Sequence, residues 1–422
     1  MKTYPKLVIP IILMTILLSA CGGAPVSMAE SGRAREKNTN VSQANLQTLV
    51  DGNNAFALDL YQSLRTQNGN LILSPFSISL ALAMTYAGAR GETEAQMANV
   101  LRFGSQEQLH SAFNALDLAL EETPIVLDKE QEPMQLNIAN SVWAEQTFTF
   151  RPDFLDTLSV NYGAGIHLLD FITQPEPSRR EINNWVSDET NDKIRDLLPG
   201  DSIKPTTKMV LVNAIYFKAD WLSPFDANDT RDGDFKLLDG SKVTVPMMGH
   251  QLYIPYFAGD GFAAAELPYV GESAVMTLLV PDEGRFEEIE SKLNGAMFNE
   301  VLTNLSQADV TLRMPKFEYE SAFSLTDTLA GMGMPLAFDK DFADFSGMTD
   351  QQALFIGNII HKAIVTVDEE GTEAAAATAV IMDLATAMEP ENILIIDRPF
   401  IYFIRDVESG QILFIGRVMN PK

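Results

Sequence analysis

An α+β fold, with helices packed on large and mostly antiparallel sheets, is what this sequence predicts. Three observations lead there. Apolar residues at helical spacing dominate the first half of the chain, and strand-like runs dominate the second. The chain also closes on two apolar runs joined by a turn, the pattern of a hairpin.

The elements follow in order. Asn53 to Leu64 places Phe56, Leu60 and Leu64 on one helical face. Ser74-Pro75 reads as an N-cap with proline in the first turn, opening a helix that runs to about Ala89. Gln174-Pro-Glu-Pro-Ser178 reads as a short loop, and Glu181 to Leu198 as an amphipathic helix. Met209 to Lys218, Val275 to Val280, Val310 to Phe317 and Leu354 to Val367 read as strands. Phe400 to Ile404 and Ile412 to Val418 form the terminal hairpin through Asp406-Val-Glu-Ser-Gly410.

Length and composition suit a folded protein: 422 residues, 46% apolar and 21% charged. With 30 basic and 57 acidic residues the net charge is −27. So acidic a surface argues against nucleic acid and against anionic membrane as partners. At the N-terminus, Lys2 and Lys6 precede an apolar run from Leu7 to Leu18, too short for a comfortable membrane span. The run ends in Leu18-Ser19-Ala20-Cys21, and Cys21 is the only cysteine. This resembles the lipobox of bacterial lipoproteins, which implies cleavage before Cys21, lipidation of its thiol, and an extracytoplasmic protein anchored to a bacterial membrane. An ordinary signal peptide with an incidental cysteine is the alternative. Residues 1–20 are then a signal peptide, 21–45 a flexible polar tether, and 46–422 a single domain.

The most informative stretch is Asp368 to Met382. It follows a strand-like run, begins as a turn and becomes a row of small residues. At strand period, one face holds Thr372, Ala374, Ala376, Thr378, Val380, Met382 and Leu384, with no charge. The other face carries Glu373 and Asp383 and could stay wet. A loop able to become a strand suggests a switch. Taken alone, Ala374 to Ala377 could equally start a helix, since alanine is the best helix former.

Several segments, in order, resemble the serpin family over about residues 46 to 422. They are Asn70-Leu-Ile-Leu-Ser-Pro-Phe-Ser-Ile78, Met84-Thr-Tyr-Ala-Gly-Ala-Arg-Gly-Glu-Thr93 and Ala139-Asn-Ser-Val-Trp143. Leu211-Val-Asn-Ala-Ile-Tyr-Phe-Lys-Ala-Asp-Trp-Leu-Ser-Pro-Phe225 follows, then Met314-Pro-Lys-Phe317, Phe345-Ser-Gly-Met348, His361-Lys-Ala and Arg398-Pro-Phe400. The resemblance implies the serpin fold and a suicide-substrate inhibitor of serine, or alternatively cysteine, proteases, with the target protease as covalent partner. A monomer is expected, and the sequence implies no bound cofactor. The resemblance makes Glu369, Gly371, Thr372, Glu373, Ala374, Ala375, Ala376, Ala377 and Thr378 the hinge on which a cleaved loop enters the main sheet. Gly371 is expected to supply a permissive backbone there.

The family's usual spacing puts the scissile bond fourteen positions after Gly371, at Ala385-Thr386. Leu384 is the second choice and Met388 the third. No lysine or arginine occurs from Ala363 to Asp397, so elastase-, subtilisin- or chymotrypsin-like targets are expected and trypsin-like ones are not. Ser74, Ser77, Asn213 and His361 match the family's shutter, a hydrogen-bonded cluster beneath the sheet. A satisfied core histidine is the plainer account of His361, and the two coincide. Trp221 resembles the tryptophan at the breach, where the loop first enters, with core packing as its alternative.

Catalytic and metal signatures are missing from the sequence. The four histidines His110, His167, His250 and His361 show no metal spacing, and no Gly-x-Ser-x-Gly or Ser-x-x-Lys motif occurs. The Asp229/Asp232/Asp234 turn lacks a calcium-loop pattern and reads as solvated. The expectation is an inhibitor and not an enzyme. A non-inhibitory serpin and a lipid-anchored binding lipoprotein are the rival readings.

Overall fold

The computed structural model describes residues 26–121, 134–351, 354–372 and 392–422. Cys21, the hinge residues Glu373 to Thr378, and the candidate bond residues Leu384, Ala385, Thr386 and Met388 lie outside the described residues.

Nine helices are described: α1 (Gln43–Leu64), α2 (Pro75–Tyr86), α3 (Gly91–Leu101), α4 (Gln106–Glu121), α5 (Pro152–Tyr162), α6 (Pro175–Glu189), α7 (Phe286–Lys292), α8 (Gly295–Asn304) and α9 (Thr326–Met332). The first strands are β1 (Ser27–Ala29), β2 (Leu71–Leu73), β3 (Gln135–Glu145), β4 (Ile166–Leu169), β5 (Met209–Asp220), β6 (Arg231–Lys236), β7 (Lys242–Ala258) and β8 (Phe262–Pro268). The rest are β9 (Ala274–Pro281), β10 (Ser306–Pro315), β11 (Phe317–Ser324), β12 (Asn358–Val367), β13 (Gly371–Thr372), β14 (Asn392–Ile395), β15 (Phe400–Asp406) and β16 (Ile412–Val418). They form the predicted α+β architecture. A seven-stranded sheet runs in the order β1-β4-β3-β5-β13-β12-β11. A nine-stranded sheet runs β14-β10-β7-β8-β9-β15-β16-β2, with β6 paired to β7.

Local chemistry sets the start of the central helix. The Ser74 hydroxyl caps α2 by accepting from the Ser77 amide, and Pro75 occupies the first turn. All twelve residues of α2 are buried, so this helix is the spine of the core and has no wet face. The terminal hairpin forms with Phe403 opposite Ile415.

Several boundaries differ from expectation: α1 begins at Gln43 and not Asn53, and β12 at Asn358 and not Leu354. The supposed loop at Gln174–Ser178 is the first turn of α6, because proline costs nothing where the amides have no intrahelical partner. That helix stops at Glu189 and not Leu198, since Asn191 and Asp192 take positive φ of 49° and 62°. The run Val310–Phe317 spans two strands in different sheets, parted at Lys316 just after Pro315. Residues 26–42, expected within a flexible tether, are joined to the body: β1 pairs antiparallel with β4, and Glu36 donates to the Val160 carbonyl at 2.9 Å.

The seven-stranded sheet is buried on both faces around β5. Leu211, Ile215 and Phe217 join the main core with Ile359, Ala363 and Val365. Val210, Val212 and Ala214 point the other way, into a second cluster with Trp143, Ile182, Val186 and Ile360 beneath α6. Burial on both sides is why Met209–Phe217 reads as a nearly continuous apolar run.

Candidate functional site

The middle of the seven-stranded sheet is a partly opened seam. β5 and β12 run parallel and pair directly from Val210↔Asn358 to Ile215↔Ala363. Past that point they diverge, and β13 enters between them, antiparallel to both. Gly371 lies opposite Asp220, and Thr372 lies opposite both Ala219 and Val367. Tyr216–Lys218 on one strand and Ile364–Thr366 on the other separate the last direct pair from Thr372.

A tight reversal delivers β13 to this position. Asp368 organises it: its Oδ1 accepts from the amides of Glu370 and Gly371 at 3.0 and 3.2 Å, and its own amide donates to the Gly371 carbonyl at 3.0 Å. Burial pushes the Asp368 carboxyl up, against the pull of those two amides. Glu369 anchors the outside of the turn. Its Oε2 pairs with Lys316 Nζ at 2.5 Å, and its Oε1 accepts from the Thr230 hydroxyl at 2.7 Å. Burial alone would raise the Glu369 carboxyl, but Lys316 and Thr230 bring it below the usual range.

Gly371 serves a purpose other than the expected one. Its φ is not in the left-handed region. What matters is the missing Cβ, which would stand 2.2 Å from the Ala219 carbonyl oxygen and 2.7 Å from the Asp220 Cα. β13 can lie this close to β5 only because this residue has no side chain.

Thr372 is 1% exposed, and its hydroxyl shares a 2.8 Å hydrogen bond with the Tyr269 hydroxyl. Tyr269 stacks on Trp221, ring centroids 4.6 Å apart and nearly parallel. Trp221 in turn donates its indole N–H to the Asp368 carbonyl at 3.0 Å and its amide to the Glu370 carbonyl at 2.7 Å. Trp221 is therefore both core packing and the lintel over the mouth of the seam. Tyr269, Lys316 and Thr230 were not singled out in the sequence. Lys316 sits in the quoted Met314–Phe317 motif, but its partner is 53 positions away.

The polar cluster lies lower in the same seam. Asn213 on β5 and His361 on β12 face each other in register. Ser74 donates its amide to His361 Nε2 at 3.2 Å, so His361 Nδ1 carries the proton and donates to Asn213 Oδ1. The Asn213 amide nitrogen reaches both Ser77 Oγ and Asn140 Oδ1. Asn140 closes the ring by donating to the Ser77 carbonyl at 3.1 Å. Ser74, Ser77, Asn213 and His361 are all fully buried. Burial holds His361 neutral, its pKa pushed down to about 3. Asn140 is a member of this ring that sequence reasoning left unassigned, although it stands inside the quoted Ala139–Trp143 motif.

This arrangement has the parts of a gate. Direct pairing and one polar ring hold β5 to β12, and a short strand already occupies the open end. Among the described residues, no group of three or more His, Cys, Asp or Glu side chains is placed to hold a metal ion.

A family model described as Serpin (serine protease inhibitor) matches residues 51–421. An uncharacterised serpin-like protein of Thermococcus kodakarensis is 37% identical over 98% of this chain and 99% of its own. The leukocyte elastase inhibitor of Equus caballus is 40% identical over 89% of this chain and all of its own. Among solved structures, Serpin48 of the insect Tenebrio molitor superposes with a TM-score of 0.77 at 32% identity, covering 89% of this chain and 99% of that one.

Proposed function

The chain belongs to the serpin family, a protease-inhibitor fold and not an enzyme, and on that premise we propose that it is a suicide-substrate inhibitor of elastase-, subtilisin- or chymotrypsin-like proteases. The target's nucleophile attacks the Ala385 carbonyl, the Ala385–Thr386 bond breaks, and the Thr386 amine leaves. An acyl-enzyme ester on Ala385 remains. The freed loop then inserts between β5 and β12 before water can hydrolyse that ester, carrying the protease with it.

The single observation that carries this reading is Thr372 lying between the parted strands. Continuing its antiparallel register predicts the path of the loop. Ala374 would come opposite Phe217 and Val365, and Ala376 opposite Ile215 and Ala363. Thr378 would come opposite Asn213 and His361. The first insertion steps therefore break no β5–β12 pairing, and small residues meet the crowded core face. The first polar inward residue after Thr372 arrives where the Asn213–His361 bond must be given up, with a hydroxyl to replace it. Backbone bonds gained at roughly 0.5–1.5 kcal/mol each over about a dozen residues supply the driving force. A metastable loop-out fold stores it kinetically.

Target class rests on the loop's composition. No cation occurs from Ala363 to Asp397 to enter a trypsin-like pocket, and the relatives named above include an elastase inhibitor. Asp383, Glu389 and Glu391 disfavour proteases with acidic clefts. We place the molecule as a monomer held outside a bacterial cytoplasm by lipid on Cys21. Incorporation of labelled fatty acid, abolished in Cys21→Ser, checks that anchor.

A panel of purified proteases read by denaturing gel tests the function. Covalent complexes with elastase or subtilisin, and release of a C-terminal peptide beginning at Thr386 by mass spectrometry, are expected. Complexes with trypsin alone would overturn the assignment.

A further inference from the structure

The first described segment is not needed to build the gate, yet it is bonded to the body from Ser27 to Glu36. β1 adds to the outer edge of the seven-stranded sheet, with Ser27 opposite Leu168, Met28 opposite His167 and Ala29 opposite Ile166. The chain then crosses α5. The Ser31 hydroxyl donates to the Asp156 carboxylate, and the Glu36 amide donates to the Val160 carbonyl. Arg35 reaches beyond α5 to α4. Its guanidinium donates to Asn114 Oδ1 at 2.8 Å, Asp117 Oδ2 at 2.5 Å and Glu121 Oε1 at 2.9 Å. Asn114 answers by donating to the Glu36 carbonyl at 2.7 Å.

These are not surface pairs of negligible worth. The Arg35 and Asp117 side chains are only 17% and 15% exposed. Burial lifts the Asp117 carboxyl, and Arg35 opposes that rise. Removing Arg35 would leave a carboxylate poorly solvated and unpaired.

The receiving surface fits the segment. Asn114, Asp117 and Glu121 sit at i, i+3 and i+7, one stripe of α4. The turn from α5 to β4 holds two glycines where the segment passes. A Cβ at Gly165 would stand 2.9 Å from the Ala29 carbonyl oxygen, and one at Gly163 would stand 3.1 Å from Arg35 Cδ.

The two ends of this segment grip parts that insertion moves apart. A strand entering between β5 and β12 displaces β5, and with it β3 and β4, by one strand spacing of about 4.8 Å. α4 packs instead on α1 and α5. Arg35 and Asn140 also line the same cavity, of about 280 Å³, so the segment reaches the wall of the polar ring that holds the seam.

We propose that residues 26–42 are a strap that slows opening of the sheet by tying β4 to α4. The proposal rests on the loop-insertion reading above. It predicts that the strap sets how long the loop-out form survives without a protease.

The test uses the full chain and two variants that loosen the strap at separate points, Arg35→Ala and Gly165→Val. Each is incubated warm without protease, and an intact, monomeric, heat-resistant and inactive form is followed by native gel and thermal melt. Both variants should reach that form at least about tenfold faster than the parent, with Arg35→Lys in between. Equal rates would overturn the strap. So would conversion of the variants only to aggregate, which would make the segment a general stabiliser. If a variant fails to fold, the Arg35→Lys rate decides. Failure of the parent to gain heat resistance even after loop cleavage would sink the insertion reading itself, a result distinct from equal rates.

Discussion

His361 shows how one side chain can couple the gate to pH. It accepts from the Ser74 amide and donates to Asn213, and burial pushes its pKa down to about 3 from an ordinary value near 6.5. Between those values the unfolded chain binds a proton that the folded chain refuses, so stability is complete above about pH 6.5 and is lost as pH falls toward 3. The contribution is at most about 1.4 kcal/mol per pH unit. Melting temperature should therefore fall on acidification, and His361→Gln should show a shallower slope between pH 6 and pH 4. An unchanged slope would remove His361 as the cause. This residue was legible early because a lone histidine on an apolar strand face needs polar partners. Asn140 was not, because an asparagine on a mixed strand gives no sign of which strand it will face.

At the scale of the element, β12, the Asp368–Gly371 turn and β13 act as one unit. The small-residue face was visible as a strand period, but the depth of entry was not. Thr372 is 1% exposed with its hydroxyl on Tyr269, so this position has no room for a long charged side chain. Thr372→Arg would have to bury a cation or withdraw β13 from the seam. Insertion would then lag behind deacylation. Complex yield with elastase should fall at least about tenfold while cleavage of the loop continues. A variant that still traps the protease normally would show that entry does not start at Thr372. Gly371 carries a related lesson. Its presence in a hinge suggested backbone freedom, whereas its contacts with Ala219 and Asp220 show a need for space.

For the whole molecule, the proposed insertion turns on the seam between β5 and β12. The β5–β12 seam is closed by six direct pairs, from Val210↔Asn358 to Ile215↔Ala363, and each must give way to two new ladders if the loop enters fully. One cut in the loop by a non-target protease should therefore raise the melting temperature by tens of degrees, at about 2–4 °C per kcal/mol for a large domain. A cleaved chain that melts with the intact one would mean that the loop stays out. Much of this molecule follows from neighbours along the chain: the capped spine helix, the doubly buried strand, the hairpin, and the run of small residues without a cation after Thr372. Those features depend on period, capping and composition, which are local. Tertiary structure alone decided that Thr372 stands between β5 and β12, that Tyr269 and Asn140 complete the gate, and that residues 26–42 are strapped to α4 and β4. Each of these depends on the register and packing of segments far apart in the chain, and no local pattern encodes which distant surface a residue will meet.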